Sequence, residues 1–371
     1  METLVFVTQL IDPDDPVLGF VVPQIRVLTE RFDVVVIANE VRRVPSDLSA
    51  EIVSLGKEDG AGQLTRGARY VLAVGAATRR RPAGLLAHMC PVYLTLAAPI
   101  TKIGSVPSML WFVHPADSRL LRATERLSDA VLTASPGSYP RNGPKVHAIG
   151  HAIDTGSIVP TPIRRDPGTP LRLLALGRTS PVKGYAGLVR GVAAARHAGV
   201  DVTLRIVGPS ITDSERAHRS ALLDLAGTLA PGVITVERGV PREQITEVFD
   251  DIDVLVNATE SGSADKVVFE AMAAARPVLV ASRAFDGLFD PAECALSYDP
   301  GDDGAIVERL RELAGAPPAT LERIGSSLRR TVEREHSLGH WADQVARVLS
   351  EIRRKPASTA PPEPPEVPRP S

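Results

Sequence analysis

Along the whole chain, short β-branched apolar runs alternate with stretches whose apolar residues recur at helical spacing. Residues 4–8 and 34–38 read as strands, with an amphipathic helix over 21–31 between them. Further strands are expected at 84–89, 109–114, 130–134 and 145–149, separated by helical stretches such as 115–127. Four prolines and a glycine then fall within residues 160–170, the composition of a linker. The alternation restarts with strands at 171–176, 203–207, 233–236, 254–256 and 278–281. The helices between them end near His197 or span 214–229, 242–249 and 265–274. Strands alternating with helices of roughly ten to fifteen residues predict parallel, doubly wound α/β sheets. Two such domains are expected, 1–160 and 171–335, facing a central cleft, where the carboxyl ends of the strands take ligands. A last helix at 338–353, within a segment 336–355, follows one at 319–334 and is expected to cross back and brace the first domain. Residues 356–371 hold seven prolines and no aromatic, Ile or Leu, and read as a disordered tail.

Composition narrows the chemistry. The chain has 371 residues, with 42 Lys+Arg against 44 Asp+Glu and a formal charge of −2, which argues against nucleic acid as partner. Eight Phe, five Tyr and two Trp are too few for a groove that tracks a polymer by stacking. Cys90 and Cys294 stand far apart, outside any zinc or disulfide spacing, which fits a reducing compartment. The start carries Glu2 where a signal peptide carries positive charge, and no apolar run approaches the ~18 residues of a membrane span. A cytoplasmic location is therefore expected. The basic clusters Arg79-Arg80-Arg81 and Arg353-Arg354-Lys355 leave peripheral contact with the inner membrane face open, although solvated helix ends are the simpler reading.

Two segments carry the chemistry. The strand at 254–256 runs through Glu260-Ser261-Gly262-Ser263-Ala264-Asp265-Lys266 straight into a helix holding Glu270. A strand, a small-residue loop and a helix start present unpaired N–H groups and the positive end of a dipole to an anion. Glu270 lies more than a turn deeper, where a carboxylate can accept from a ribose diol. The plainer reading is a helix capped by Ser263 or Asp265, with Glu270 solvated. After the strand at 171–176 come Gly177-Arg178-Thr179-Ser180-Pro181-Val182-Lys183-Gly184, with two cations five residues apart. A departing diphosphate needs such fixed charge, Arg178 as a fork and Lys183 as a point charge. Alone, this too is commonly a solvated turn.

Together these segments resemble the retaining glycosyltransferases of family 4, glycosyltransferase group 1. The resemblance rests on Gly177-Arg178-x-x-x-x-Lys183-Gly184, on Glu270-Ala271-Met272-Ala273 and on Pro277-Val278-Leu279-Val280. It covers nearly all of the second domain, including Ile206-Val207-Gly208 and Gly239-Val240-Pro241, and is weaker in the first. It implies the GT-B fold of two Rossmann-like domains and a nucleotide-diphosphate sugar as co-substrate, with no other cofactor and no metal. Arg178 and Lys183 would hold the donor diphosphate, Glu270 the ribose, and the loop at Val240 the base, with Gly177, Gly262, Ser263, Ala264, Asp265 and Lys266 among the donor-binding residues. His114, closing the strand at 109–114, resembles the family's histidine facing the donor sugar and joins Arg178 and Lys183 as a catalytic candidate. Gly19, in the loop after the first strand, and His88 are acceptor-side candidates. Gly150-His151-Ala152-Ile153-Asp154 matches a turn of the family for which a structural role is expected.

There are departures. The family's first glutamate, eight positions before the second, is here Gly262, so the sugar it selects is left open; Asp265 and Lys266 are the substitutes at hand. Ala275-Arg276 replaces a common glycine at the helix end. The expected activity is sugar transfer with retention to an acceptor hydroxyl in cell-surface glycan or glycolipid assembly, the acceptor being an unknown glycan or lipid-linked molecule. One alternative is a catalytically degenerate GT-B protein that binds a nucleotide sugar or a partner protein without transfer. Another is a metal-dependent transferase using Asp12-Pro13-Asp14, which the second α/β array disfavours.

Overall fold

The computed structural model describes residues 1–15, 17–166, 168–241, 244–259, 264–288, 296–300 and 302–354. Gly262, Ser263 and the tail at 356–371 lie outside the described residues.

The first domain opens with β1 (Thr3–Ile11), α1 (Val21–Thr29), β2 (Asp33–Val41), β3 (Glu51–Ser54) and α2 (Gln63–Arg79). It continues through β4 (Gly84–His88), α3 (Pro91–Ile103), β5 (Ser108–Trp111), α4 (Arg119–Leu127), β6 (Ala130–Thr133) and β7 (Val146–Ala148). All strands pair in parallel, in the order β3-β2-β1-β4-β5-β6-β7. Alternate residues feed the two faces: Leu4 and Phe6 of β1 enter one core, Val5 and Val7 the other. Strands buried on both faces are the rule for parallel sheets, and they explain the near-continuous apolar runs.

The second domain holds β8 (Leu171–Leu176), α5 (Tyr185–His197), β9 (Val202–Val207), α6 (Asp213–Leu229), β10 (Ile234–Glu237) and α7 (Ile245–Asp250). It ends with β11 (Val254–Asn257), α8 (Lys266–Ala273), β12 (Val278–Val280), α9 (Asp303–Gly315) and α10 (Pro318–Glu335). Its parallel sheet has the order β10-β9-β8-β11-β12. The final helix, α11 (Leu338–Arg354), inserts Trp341, Val345, Val348 and Leu349 into the first-domain core. Trp341 meets Trp111 edge-on at 5.7 Å, and Arg353 and Glu2 pair at 2.7 Å.

A buried side chain helps secure the linker. Arg276, only 1% exposed, donates to the carbonyls of Phe249 at 2.7 Å and Thr161 at 2.8 Å and to Thr161 Oγ1 at 2.6 Å. A buried guanidinium is tolerable only when its donors are met, and here they tie the interdomain segment to the second sheet. The residue before it, Ala275, adopts φ 55°, the left-handed conformation that a glycine takes at a helix end without strain.

In both sheets the strand order reverses once, at β1/β4 in the first and β8/β11 in the second. Loops leaving neighbouring strands at such a point diverge to opposite faces and leave a crevice. The site is built from these two crevices.

Candidate functional site

The second-domain crevice is charged. The loop after β8 passes Gly177 and makes a single 3₁₀ turn at Pro181–Lys183 before α5. Gly184 takes φ 67° and lies so close to the carbonyl of Ala258, past β11, that a side chain would collide with it. The two loops therefore touch. Lys183 Nζ reaches both carboxylate oxygens of Asp265, at 2.9 and 2.8 Å, while Asn257 Nδ2 and Thr259 Oγ1 each donate to Asp265 Oδ2 at 2.7 Å. Burial opposes ionisation of Asp265, but the Lys183 charge and these hydrogen bonds outweigh it and hold the carboxyl below its usual range. Asp265 occupies the N-cap position of α8, yet its side chain makes no cap bond. The plainer expectation of a capping aspartate is thus corrected: the carboxylate has turned to the lysine.

Arg178 does not converge on the same point. Half-exposed, its Nη1 lies 3.2 Å from Oε1 of Glu215, a buried residue that forms a capping box with Thr212 at the start of α6. Glu270 is nearly buried on α8, 3.8 Å from Lys266 Nζ. It lines a pocket of about 250 Å³ together with Pro13 of the first domain and Asp154, Ser157, Ile158 and Ile245. Val240 is half-buried and packs on the core that holds Phe249 and Phe269.

The first-domain crevice is apolar. Phe20, Gln24, Met89, Trp111 and Val113 face Ala264, Asp265 and Lys266 across a pocket of about 220 Å³. Lys266 Nζ stands 4.2 Å from the centre of the Phe20 ring, a cation–π contact between the domains. Gly19, just before Phe20, is needed for this approach, since a Cβ there would sit 2.5 Å from the Pro13 carbonyl.

Two histidine expectations require correction. His88 is not a wall of the cleft but is buried among Phe6, Phe20 and Trp111. It follows Leu86 on the same face of β4, and the cleft is lined instead by Met89, whose φ of 56° turns the chain at the strand end. Burial, reinforced by the Lys266 charge, pushes His88 down to about 3, so it is neutral at ordinary pH. His114 is exposed and accepts a bond from the backbone N–H of Ala116 at 3.0 Å. β5 ends at Trp111, three residues short of it, so Trp111 and Val113 take the place expected for His114 in the pocket. The reading of Asp12-Pro13-Asp14 as a metal pair meets arginines instead: Arg42 lies 3.9 Å from Asp12 and 3.4 Å from Asp15, and Arg43 lies 2.8 Å from Asp14.

Sequence reasoning passed over Phe20 and Gln24 as pocket residues, whereas Met89 lies in the segment His88-Met89-Cys90-Pro91 expected at the acceptor wall. His151 also lines the pocket; its ring stacks on Phe269 at 3.8 Å, and its Nδ1 lies 3.2 Å from His336 Nδ1, next to the start of α11. Burial and the neighbouring His336 hold His151 well below its ordinary value.

Residues 170–315 match the family model of glycosyl transferases group 1. No curated protein matches the sequence significantly. Among solved structures, HepE of Anabaena in complex with UDP and glucose is 14% identical, with a TM-score of 0.71 over 95% of this chain and 100% of that one. A sucrose-phosphate synthase from Thermosynechococcus elongatus is 15% identical, with a TM-score of 0.70 over 95% and 99%. A glycosyltransferase from Rickettsia africae is 13% identical, with a TM-score of 0.71 over 96% and 100%. At such identities the likeness speaks for the fold, two α/β domains in the GT-B arrangement, and the family match covers the charged crevice. The second domain thus matches the glycosyl transferases group 1 model over residues 170–315, on a chain with the GT-B fold.

Proposed function

We propose that the protein is a retaining, metal-independent glycosyltransferase that moves a sugar from a nucleoside diphosphate donor to an acceptor hydroxyl in cell-surface glycan or glycolipid assembly. The observation that carries this reading is the Lys183–Asp265 pair at the switch point of the second sheet, opposite an apolar crevice. Asp265 engages two directions of the Lys183 ammonium and leaves the third for a phosphate oxygen of the leaving group. A lysine fixed before the donor arrives stabilises developing charge with little reorganisation. Arg178, braced by Glu215, supplies a second cation at the far side of the same loop. Glu270, at the mouth of its own pocket, is assigned the ribose diol. Phe20, Trp111 and Val113 provide the wall against which the sugar and acceptor are held and water is excluded. HepE, a fold neighbour, was solved with UDP, which makes uridine nucleotides the first donors to try.

The test is the melting point of the protein with UDP, GDP, ADP and dTDP and their sugar conjugates, each with and without chelator. A ligand at 100 times its Kd adds about 2.7 kcal/mol of stability. A shift with one nucleotide, retained in chelator and absent from Lys183→Ala, is expected. If no nucleotide shifts the melting point, the reading fails and the non-transferring alternative replaces it.

A further inference from the structure

The pocket of about 220 Å³ between the domains contains a polar group that the fold itself does not use. Phe20, Met89, Trp111, Val113 and Ala264 give the pocket an apolar lining. Of its polar lining residues, Asp265 already accepts from Lys183, Asn257 and Thr259, His151 is joined through Nδ1 to His336, and Lys266 lies between Phe20 and Glu270. Gln24 is the exception. It is 1% exposed on α1, and its Oε1 meets no hydrogen-bond partner among the described residues. A side-chain amide in that state destabilises the fold, because its hydration is lost and nothing replaces it. Leucine or methionine would fill the same helix position with no polar atom to satisfy. A buried, unanswered amide in the wall of a cavity therefore points to a ligand.

Position and chemistry together limit what that ligand is. Asp265 lines this pocket and also grips Lys183. A group bonded to a diphosphate at Lys183 therefore enters the pocket beside it; that group is the sugar of the donor, an identification that rests on the transferase reading above. The hydroxyls of an ordinary hexose are donors that need acceptors, and a hydroxyl set against apolar surface without one is unfavourable. Asp265 is the one carboxylate among the described lining residues, and it is engaged. Gln24 presents a donor and an acceptor in one plane. Its complement is a secondary amide, whose N–H donates to Oε1 and whose carbonyl accepts from Nε2. Phe20 precedes Gln24 by one helical turn, on the same side of α1. A methyl group carried by that amide would rest on the Phe20 ring. An acylamino group meets both the amide and the ring; a hydroxyl meets only the first, and a bare methyl only the second.

We infer that the transferred sugar carries an N-acyl group, paired with the Gln24 amide and packed on Phe20, which leaves Trp111 and Val113 to the acceptor. The test is titration calorimetry of the full chain with the nucleoside diphosphate that raises its melting point and with the glucose, glucosamine and N-acetylglucosamine conjugates of that nucleotide, the UDP series first. The acetylated donor is expected to bind at least about tenfold more tightly than the other two sugar conjugates, the lower end of what one apolar group in a fitted pocket gives. This comparison is made on the unaltered chain and does not depend on a variant folding. Gln24→Leu should abolish the preference and, with no donor present, raise the melting point, since the unpaired amide is gone. A lower melting point together with an intact preference would make Gln24 a structural residue and overturn its role. Binding of the nucleotide with no preference among the three sugars overturns the inference and leaves the transferase reading standing. If no nucleotide binds, the transferase reading fails, and the inference with it.

Discussion

The two crevices arise from the same topology and hold opposite chemistry. In the second domain the loops after β8 and β11 meet through an ion pair whose carboxylate is met by three side chains. In the first, the loops after β1 and β4 meet through Phe20 and Met89 over a buried, neutral histidine. A sheet that reverses its strand order guarantees a crevice and says nothing of what fills it; the loop residues decide that. On the proposed reading, charge on one side and aromatic surface on the other divide the labour, with the anionic leaving group at the lysine and the neutral sugar and acceptor at the rings.

The largest effect should come from breaking the charged side. Lys183→Ala is expected to lower kcat by about 10²–10³-fold, the usual cost of removing one preorganised charge-stabilising group. Trp111→Ala in the opposite crevice should act mainly through the acceptor KM. Steady-state kinetics of the two variants with one donor and acceptor separate these outcomes. Equal damage to kcat from both would erase the distinction between the crevices.

Acid should act on the buried histidines before it reaches Asp265. His88 titrates at about 3 and His336 at about 4 in the folded chain, and His151 well below its ordinary value, in each case chiefly through burial. Unfolded histidines bind protons near pH 6.5, so between there and the folded values the unfolded state holds more protons and stability falls as pH falls. Each histidine contributes roughly 1.4 kcal/mol per pH unit within that window. Asp265 works lower: its folded pKa is depressed, so its stabilisation is present above the ordinary carboxylate range and is lost only as pH drops through the folded value. Neither ring nitrogen of His88 bonds another of the described residues. His88→Leu should therefore fold, and denaturant unfolding from pH 4.5 to 6.5 should show a slope smaller by about one proton. An unchanged slope would mean that His88 is not buried in the neutral form.

How far these features could be read in advance follows the patterning of each element. β8 is found at the boundaries its apolar run suggested, and α11 within one residue of them, because α11 is apolar on one face only. α2 and α3 gave no clean boundary, since apolar residues on their exposed faces blur the helical period and Pro99 lies inside α3. The charged loops were legible as residues but not as partners: nothing in the spacing says that Lys183 turns to Asp265 while Arg178 goes to Glu215. His88 and His114 were misplaced for a related reason. β4 is buried on both faces and β5 stops at Trp111, so neither strand offers an alternation from which the cleft side can be told.

The smallest predicted effect separates strain that serves the cleft from strain that does not. Met89 and Ala275 hold nearly the same left-handed conformation, with φ 56° and 55°. This geometry costs an L-residue about 1 kcal/mol relative to glycine. Met89 keeps it where its side chain lines the pocket and its sulfur accepts the N–H of Val113 at 3.2 Å. Ala275 keeps it at the end of α8, with no side chain to aim at anything. Ala275→Gly should therefore stabilise the chain by about 1 kcal/mol, raising the melting point with no change in transfer rate. Met89→Gly relieves the same strain and removes the pocket wall, so any gain in stability should come with a weakened acceptor KM. If Met89→Gly matches Ala275→Gly in both measurements, the turn at Met89 is only a turn, and the apolar crevice owes its shape to Phe20 and Trp111.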